Sequence, residues 1–186
     1  MRPRLDRLNV THLGKLNRDE ILTFKSANSL LNKQFYNALS KDAKKANSKF
    51  DTYCLLDSTN DDVIGFFSIA NRVVFNEDAK ETSAQWLNEQ SIPCVKLEWV
   101  AVDEKYSRDF RGEGDGYGRI LLYFVYRQVL ADYPETELLC LESKESAIAF
   151  YKAMAFEVIP ESDGKDFFIT SNAMSTYMHE VEKALA

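Results

Sequence analysis

Apolar positions recur along this chain with two different periods. In ANSLLNKQFYNALSKDAKKA, residues 27–46, Leu30 and Leu31, then Phe35, then Ala38 and Leu39 mark one face of a helix, and Asn28 or Ser29 stands where an N-cap belongs. FDTYCLLD (50–57) and VIGFFSIA (63–70) are β-branched and aromatic instead. STNDD between them carries turn chemistry, so the pair predicts an antiparallel hairpin. KETSAQWLNEQ (80–90) predicts a short helix or an ordered loop, and CVKLEWVAV (94–102), behind Pro93, predicts a strand. GRILLYFVYRQVLADY (118–133) is apolar almost all round, the pattern of a helix buried on a sheet and stopped before Pro134. ELLCLE (137–142) reads as a buried strand and SAIAFYKAM (146–154) as a helix. FEVI (156–159), FFIT (167–170) and a segment near STYMHEV complete an alternating α/β chain. Strand, glycine turn, helix and strand in succession make one βαβ unit.

Nothing in the sequence divides it: there is no internal repeat, low-complexity tract or linker, so residues 1–186 are expected to form a single domain. No apolar run is long enough to span a bilayer. The basic start, MRPRLDRLNVTHLGKL, lacks an apolar signal core, so the expected place is the cytoplasm, with no membrane partner. The net charge of −6 argues against a large nucleic-acid footprint. Residues 41–49, KDAKKANSK, are locally basic, which fits a solvated helix end. Cys54, Cys94 and Cys140 lie far apart, no two close, each in an apolar strand-like run. They are expected to be reduced, buried thiols. With His12 and His179 at opposite ends of the chain, as surface or packing residues, no metal site is expected.

Four of the seven glycines fall in FRGEGDGYGRILL, residues 110–122, at Gly112, Gly114, Gly116 and Gly118, immediately before the apolar helix. Clustered glycines mark a tight or flexible loop, but the regular spacing ahead of a helix asks for more. A Walker A loop needs a Gly-Lys pair that this segment lacks. The dinucleotide fingerprint G-x-G-x-x-G fails as well, because the third glycine position falls on Tyr117, Arg119 or Leu121. What survives is the logic of an anion cradle. Glycine lets the backbone approach a ligand closely, and the helix that follows aims N–H groups and its positive dipole end at the loop. Arg108, Arg111 and Arg119 lie on or beside it.

Three segments in order resemble the GNAT superfamily of N-acetyltransferases over roughly residues 20–180. Glu113-Gly114-Asp115-Gly116-Tyr117-Gly118, followed by RILL, resembles the family's [Q/R]-x-x-G-x-[G/A] motif. LEWVAVDEKY resembles its strand ending in an apolar-x-apolar-Asp pattern, and AIAFYKAMAFEVI (147–159) its A-x-x-F-Y-x-x-x-G-F segment. There are departures. Glu113 stands where the family has Arg or Gln, with Arg111 two residues earlier as a stand-in, and the stretch from Asp103 to Gly116 is several residues longer than usual. Asp115 adds a second carboxylate beside the phosphate site. Lys144 stands where many relatives have Asn, and Ala155 replaces the usual Gly. FKSANSLLNKQFYNAL and VIGFFSIA further resemble the first helix and a strand of the TacT-like branch, whose members often acetylate aminoacyl-tRNA as toxins.

The resemblance implies an α/β (α+β) fold: a mixed, mostly antiparallel sheet with a central βαβ unit and helices on both faces. It implies acetyl-CoA as cosubstrate, without a metal, and direct transfer of the acetyl group to a primary amine of a small molecule or protein. Pantetheine would lie against Val100, Ala101 and Val102, where a main-chain N–H also meets the developing oxyanion. The diphosphate would rest on Gly114, Asp115, Gly116, Tyr117, Gly118 and Arg119, with Arg111, Glu113 and Lys144 beside it. Tyr151 matches the tyrosine that protonates the leaving thiolate. Its ordinary pKa of about 10 lies above a thiol's 8.5 or so, so the phenol still holds its proton where the thiolate leaves. Glu98, in an apolar strand, would be costly without a partner or a task. It is either the base that takes the ammonium proton, directly or through water, or the partner of Lys96 or a nearby arginine. Two alternatives stay open: a TacT-like toxin acting on aminoacyl-tRNA, and a non-catalytic module that binds CoA. Dimers are common in the family, so a homodimer is consistent with the resemblance.

Overall fold

A computed structural model of the chain describes residues 4–16, 24–26, 28–39, 50–60, 62–74, 92–107, 116–159 and 164–185. The predicted helix or loop at 80–90, the basic run at 41–49 and the loop residues 108–115 lie outside them. Among the described residues are seven strands, β1 (Leu8–His12), β2 (Asp51–Asp57), β3 (Asp62–Val74), β4 (Ile92–Val102), β5 (Leu138–Glu142), β6 (Glu157–Val158) and β7 (Asp166–Thr170), and five α-helices. The helices are α1 (Ser29–Leu39), α2 (Glu104–Ser107), α3 (Tyr117–Asp132), α4 (Ile148–Ala153) and α5 (Ser171–Leu185). The strand order is β1-β2-β3-β4-β5-β7-β6. The pairs β1–β2, β2–β3, β5–β7 and β6–β7 are antiparallel, and β4–β5 is parallel. The sheet is therefore mixed and mostly antiparallel. Because parallel neighbours need a crossover, β4, α3 and β5 form the expected βαβ unit.

The chain divides into two compact units: Met1–Ile69 with Trp99–Val125 and Val181–Ala186, and Ala70–Glu98 with Tyr126–Glu180. In the first, the predicted hairpin is present. Asp57 closes its turn by accepting from the Thr59 N–H at 2.9 Å and the Thr59 hydroxyl at 2.6 Å. Leu55 pairs with Gly65 and Leu56 with Val63, so Ile64 is an extra residue that bulges β3. Asn28 caps α1, its side chain accepting from the Leu30 N–H at 3.0 Å. Phe35 and Leu39 are buried with Phe24 and Phe66, and the Phe35 ring lies 5.3 Å from that of Phe66. Burying a phenylalanine this fully stabilises by about 2–3 kcal/mol. Leu30 departs from the predicted face and is exposed. Five residues before Phe35, it points about 140° around the helix. The sequence reading missed β1, a short run alternating apolar and polar, which pairs with β2 from Leu8↔Asp57 to His12↔Tyr53.

In the second unit Tyr126 is fully buried, and its hydroxyl donates to the Met154 carbonyl at 3.3 Å. Tyr177 donates to the Met154 sulfur at 3.1 Å. The STYMHEV segment, left open in the sequence reading, belongs to α5, whose start is capped by the Thr170 hydroxyl accepting from the Ala173 N–H. Cys94 on β4 and Cys140 on β5 are 46 positions apart, yet their sulfurs lie 2.8 Å from each other, because the parallel pairing brings the two strands side by side. Cys140 is half-buried rather than buried. Among the described residues, no helix is long and apolar enough to cross a membrane.

Candidate active site

The end of β4 and the start of α3 lie in the first unit. Ala101 is buried, and Val100 and Val102 are half-buried. Asp103 follows the last residue of β4, and its N–H donates to the carbonyl of the bulge residue Ile64 at 2.8 Å. The buried Asp103 carboxylate then accepts the Lys25 N–H at 2.7 Å and the Lys105 N–H at 2.9 Å, while the Glu104 N–H donates to the Lys25 carbonyl at 2.7 Å. Four bonds thus fix the last turn of the strand, and with it residues 100–102. Gly65 lies against this segment. A Cβ there would sit 2.6 Å from the Ala101 carbonyl oxygen. The start of α3 is anchored too. The Gly116 carbonyl accepts from the Arg119 N–H at 3.0 Å, and the ring of Tyr117 meets that of Tyr106 edge-on at 4.9 Å between centroids. Tyr106 donates to Asp62 at 2.8 Å, and Lys105 bonds the same oxygen. Lys105, then Tyr106, hold the Asp62 carboxyl below the usual carboxylate range. Burial, then the Asp62 hydrogen bond, pushes Tyr106 up to about 12.

Of the residues expected to cradle a diphosphate, Gly116 is buried and Tyr117, Gly118 and Arg119 are half-buried on the first turn of α3. Arg111, Glu113, Gly114 and Asp115 lie outside the described residues. The first N–H groups of a helix lie ahead of its i→i−4 ladder, which is the donor chemistry a diphosphate uses, but here the Arg119 N–H is already taken by the Gly116 carbonyl. Among the described residues, no group of three His, Cys, Asp or Glu is placed to hold a metal.

In the second unit, described by itself, lie Tyr151, Glu98 and Lys144. Tyr151 sits on α4, 8% exposed, among the rings of Phe150, Phe156 and Phe167. Its carbonyl accepts the Phe156 N–H at 3.1 Å, the closing bond of a Schellman-type turn. Ala155 occupies the left-handed position of that turn, with φ of 65°, which is where the resembled motif has glycine. Burial pushes the Tyr151 phenol up to about 12. Against a thiol of about 8.5, complete proton transfer would be uphill by roughly 5 kcal/mol. Tyr151 is therefore suited to hold its proton and donate a hydrogen bond to a thiolate, not to give the proton up.

Glu98 carries an ion pair with Lys96 at 3.4 Å, the two side chains being 12% and 23% exposed. That pair accounts for a carboxylate in an apolar strand. Lys144 is exposed and lines an open recess with Glu142, Ser143, Glu145, Ser146 and Lys165. Glu145 pairs with Lys165 at 3.6 Å, so the recess is of mixed charge. Sequence reasoning missed the Asp103 clamp and the Gly65 contact. The strand-terminal Asp was visible as a motif, but its partners are 78 positions away at Lys25 and 39 away at Ile64.

No protein-family model matches the sequence, and no curated protein sequence matches it. Solved structures do match. A chain of the KacTA–DNA complex superposes with a TM-score of 0.69 at 18% identity, covering 93% of this chain and 99% of that one. A chain of AtaTR bound with AcCoA gives 0.67 at 20% identity, covering 92% and 98%. AtaT complexed with acetyl-methionyl-tRNAfMet gives 0.65 at 20% identity, covering 91% and 98%. At these identities the likeness establishes the fold alone: this chain shares the fold of the AtaT and KacT chains, and its mixed, mostly antiparallel sheet is the one that the resemblance implied.

Proposed function

We propose that this chain is an acetyl-CoA-dependent N-acetyltransferase that acetylates the α-amine of an aminoacyl-tRNA, in the manner of a TacT-like toxin. The observation that carries this reading is the likeness, over more than nine-tenths of both chains, to AtaT complexed with acetyl-methionyl-tRNAfMet. It fits better than the small-molecule or protein amine that the resemblance implied. Charge segregation answers the net −6: residues 41–49 hold Lys41, Lys44, Lys45 and Lys49 against Asp42 alone, and Arg108 and Arg111 flank the glycines.

In this reading the amine nitrogen attacks the thioester carbonyl carbon, the C–N bond forms, and the C–S bond breaks. Main-chain N–H groups of residues 100–102, held by the Asp103 clamp, stabilise the oxyanion. The first turn of α3, with Gly116, Gly118 and Arg119, takes the diphosphate, and Arg111 and Lys144 add charge. Tyr151 donates a hydrogen bond to the departing sulfur, whose final proton comes from the amine by way of solvent. An α-amine has a pKa of about 7.7–8.0, so roughly a tenth is already neutral at pH 7. A lysine-like amine would need far more help from a base. Glu98, held by Lys96, is then a structural carboxylate, and water carries the proton.

Calorimetry tests the cosubstrate and growth tests the acceptor class. Acetyl-CoA should bind saturably, and expression should arrest growth unless Tyr151→Phe is present. No binding heat would leave only a non-catalytic scaffold. Binding and turnover on a small amine without growth arrest would remove the tRNA reading.

A further inference from the structure

β4 and β5 run parallel with Cys94 opposite Leu138 and Lys96 opposite Cys140, so Cys94 and Cys140 are diagonal neighbours on adjoining strands. Their sulfurs are 2.8 Å apart, against about 2.05 Å for a covalent bond. Cys94 is 2% exposed, in an apolar cluster with Leu138 and Phe168, whereas Cys140 is half-buried beside it. Asp166 and Lys96 are the charged groups that act on Cys140. Cys54, the third thiol, is fully buried on β2.

We propose that Cys94 and Cys140 form a redox pair that closes to an intrachain disulfide by exchange with a small disulfide such as glutathione disulfide. The more accessible Cys140 thiolate attacks one sulfur of glutathione disulfide, giving a mixed disulfide and one glutathione thiolate. The Cys94 thiolate then attacks Cys140 Sγ and expels the second. Two protein thiols lose two electrons and two protons, and one disulfide becomes two glutathione thiols. The hydrogen bond with Cys94, then burial, push the Cys140 thiol far up, so the exchange is slow at neutral pH and accelerates as pH rises. Diagonal neighbours on paired strands have Cα atoms about 7–8 Å apart, and a disulfide spans about 4.4–6.8 Å. Most of that separation is the two-residue offset along the strands, so closing the bond strains the local backbone of the β4–β5 pair and makes it a reversible lock rather than a permanent staple.

Peptide mapping after glutathione disulfide treatment and alkylation under denaturing conditions tests this without any assumption about activity. The expected result is a Cys94–Cys140 cross-linked peptide two hydrogens lighter than its reduced parts, with Cys54 alone alkylated, and full reversal by dithiothreitol. Cys94→Ser should instead trap glutathione on Cys140. Three alkylated cysteines in the treated protein, or a lasting glutathione adduct on unmutated Cys140, would overturn the proposal. The map of the unmutated protein decides the matter even where the serine variant fails to fold.

Discussion

Replacing Gly65 by alanine probes the packing that fixes the end of β4. The new Cβ would stand 2.6 Å from the Ala101 carbonyl oxygen, 3.0 Å from Leu121 Cδ2 and 3.4 Å from Val102 Cα. The leucine methyl can swing aside. The Ala101 oxygen cannot, because its strand ends two residues later in the Asp103 clamp. Overpacking of this kind costs about 1–3 kcal/mol. Alanine recovers about 0.5–1 kcal/mol of the backbone entropy that glycine loses in a strand. At the midpoints of these ranges the net destabilisation is about 1.2 kcal/mol, or roughly 2–5 °C in Tm for a chain of this size. The displaced carbonyl belongs to the segment proposed to face the cosubstrate, so acetyl-CoA affinity should fall as well, by about tenfold for each 1.4 kcal/mol lost there. Urea denaturation measures the first quantity and calorimetry the second. Gly164→Ala is the control. Its φ of 72° strains any side chain, but nothing lies within 4 Å, so it should cost stability and leave affinity unchanged. A Gly65→Ala protein with unaltered stability and unaltered acetyl-CoA affinity would refute the reasoning.

Other consequences can be checked independently. Tyr151→Phe should lower kcat by about 10²-fold, the lower end for losing one hydrogen-bond donor to developing negative charge, with acetyl-CoA affinity retained. The rate should rise with deprotonation of the amine up to about pH 8 and stay level to about pH 10, since Tyr151 is held up at about 12 and keeps its proton throughout. A fall in rate between pH 8 and 10 in Tyr151 protein that is missing from the phenylalanine variant would contradict this. Ala155→Gly should stabilise the fold by about 0.5–1 kcal/mol in denaturant melts: relief of about 1–2 kcal/mol of left-handed strain exceeds the entropy that glycine adds to the unfolded chain. Asp103→Ala should cost about 3 kcal/mol, because the main-chain N–H groups of Lys25 and Lys105 lose a charged acceptor, and Asp103→Asn should recover part of that. If the four lysines of residues 41–49 each neutralise one phosphate, log affinity for tRNA should fall with log salt at a slope of about −3, whereas a small amine would show almost none.

The elements legible in the sequence were those with a strong period or a strong stop. α3 was apolar all round and ended ahead of Pro134, and it is found at Tyr117–Asp132. The hairpin turn was written in Asp57 and its neighbours, and Asn28 caps α1 as its position suggested. β1 was hidden because five residues of alternating character, LNVTH, look like any polar start, and only pairing with β2 makes them a strand. α5 carries Met174, Tyr177 and Val181 at helical spacing, a signal available in the sequence but diluted by the polar residues around it. Within the candidate site, the glycine-led helix start and Tyr151 were visible as local motifs. The Asp103 clamp, the Glu98–Lys96 pair and the Cys94–Cys140 contact depend on which side chains the sheet brings together. Only the first and last join distant positions; the pair two residues apart was recognised as one of two options and needed the strand to choose its face.

Incubation of the purified protein with acetyl-labelled acetyl-CoA and a set of charged tRNAs tests the central claim most directly. The account predicts label on tRNA that mild alkali releases as an N-acetyl amino acid, and its loss on Tyr151→Phe. Protein that binds acetyl-CoA but leaves every aminoacyl-tRNA unlabelled would contradict it.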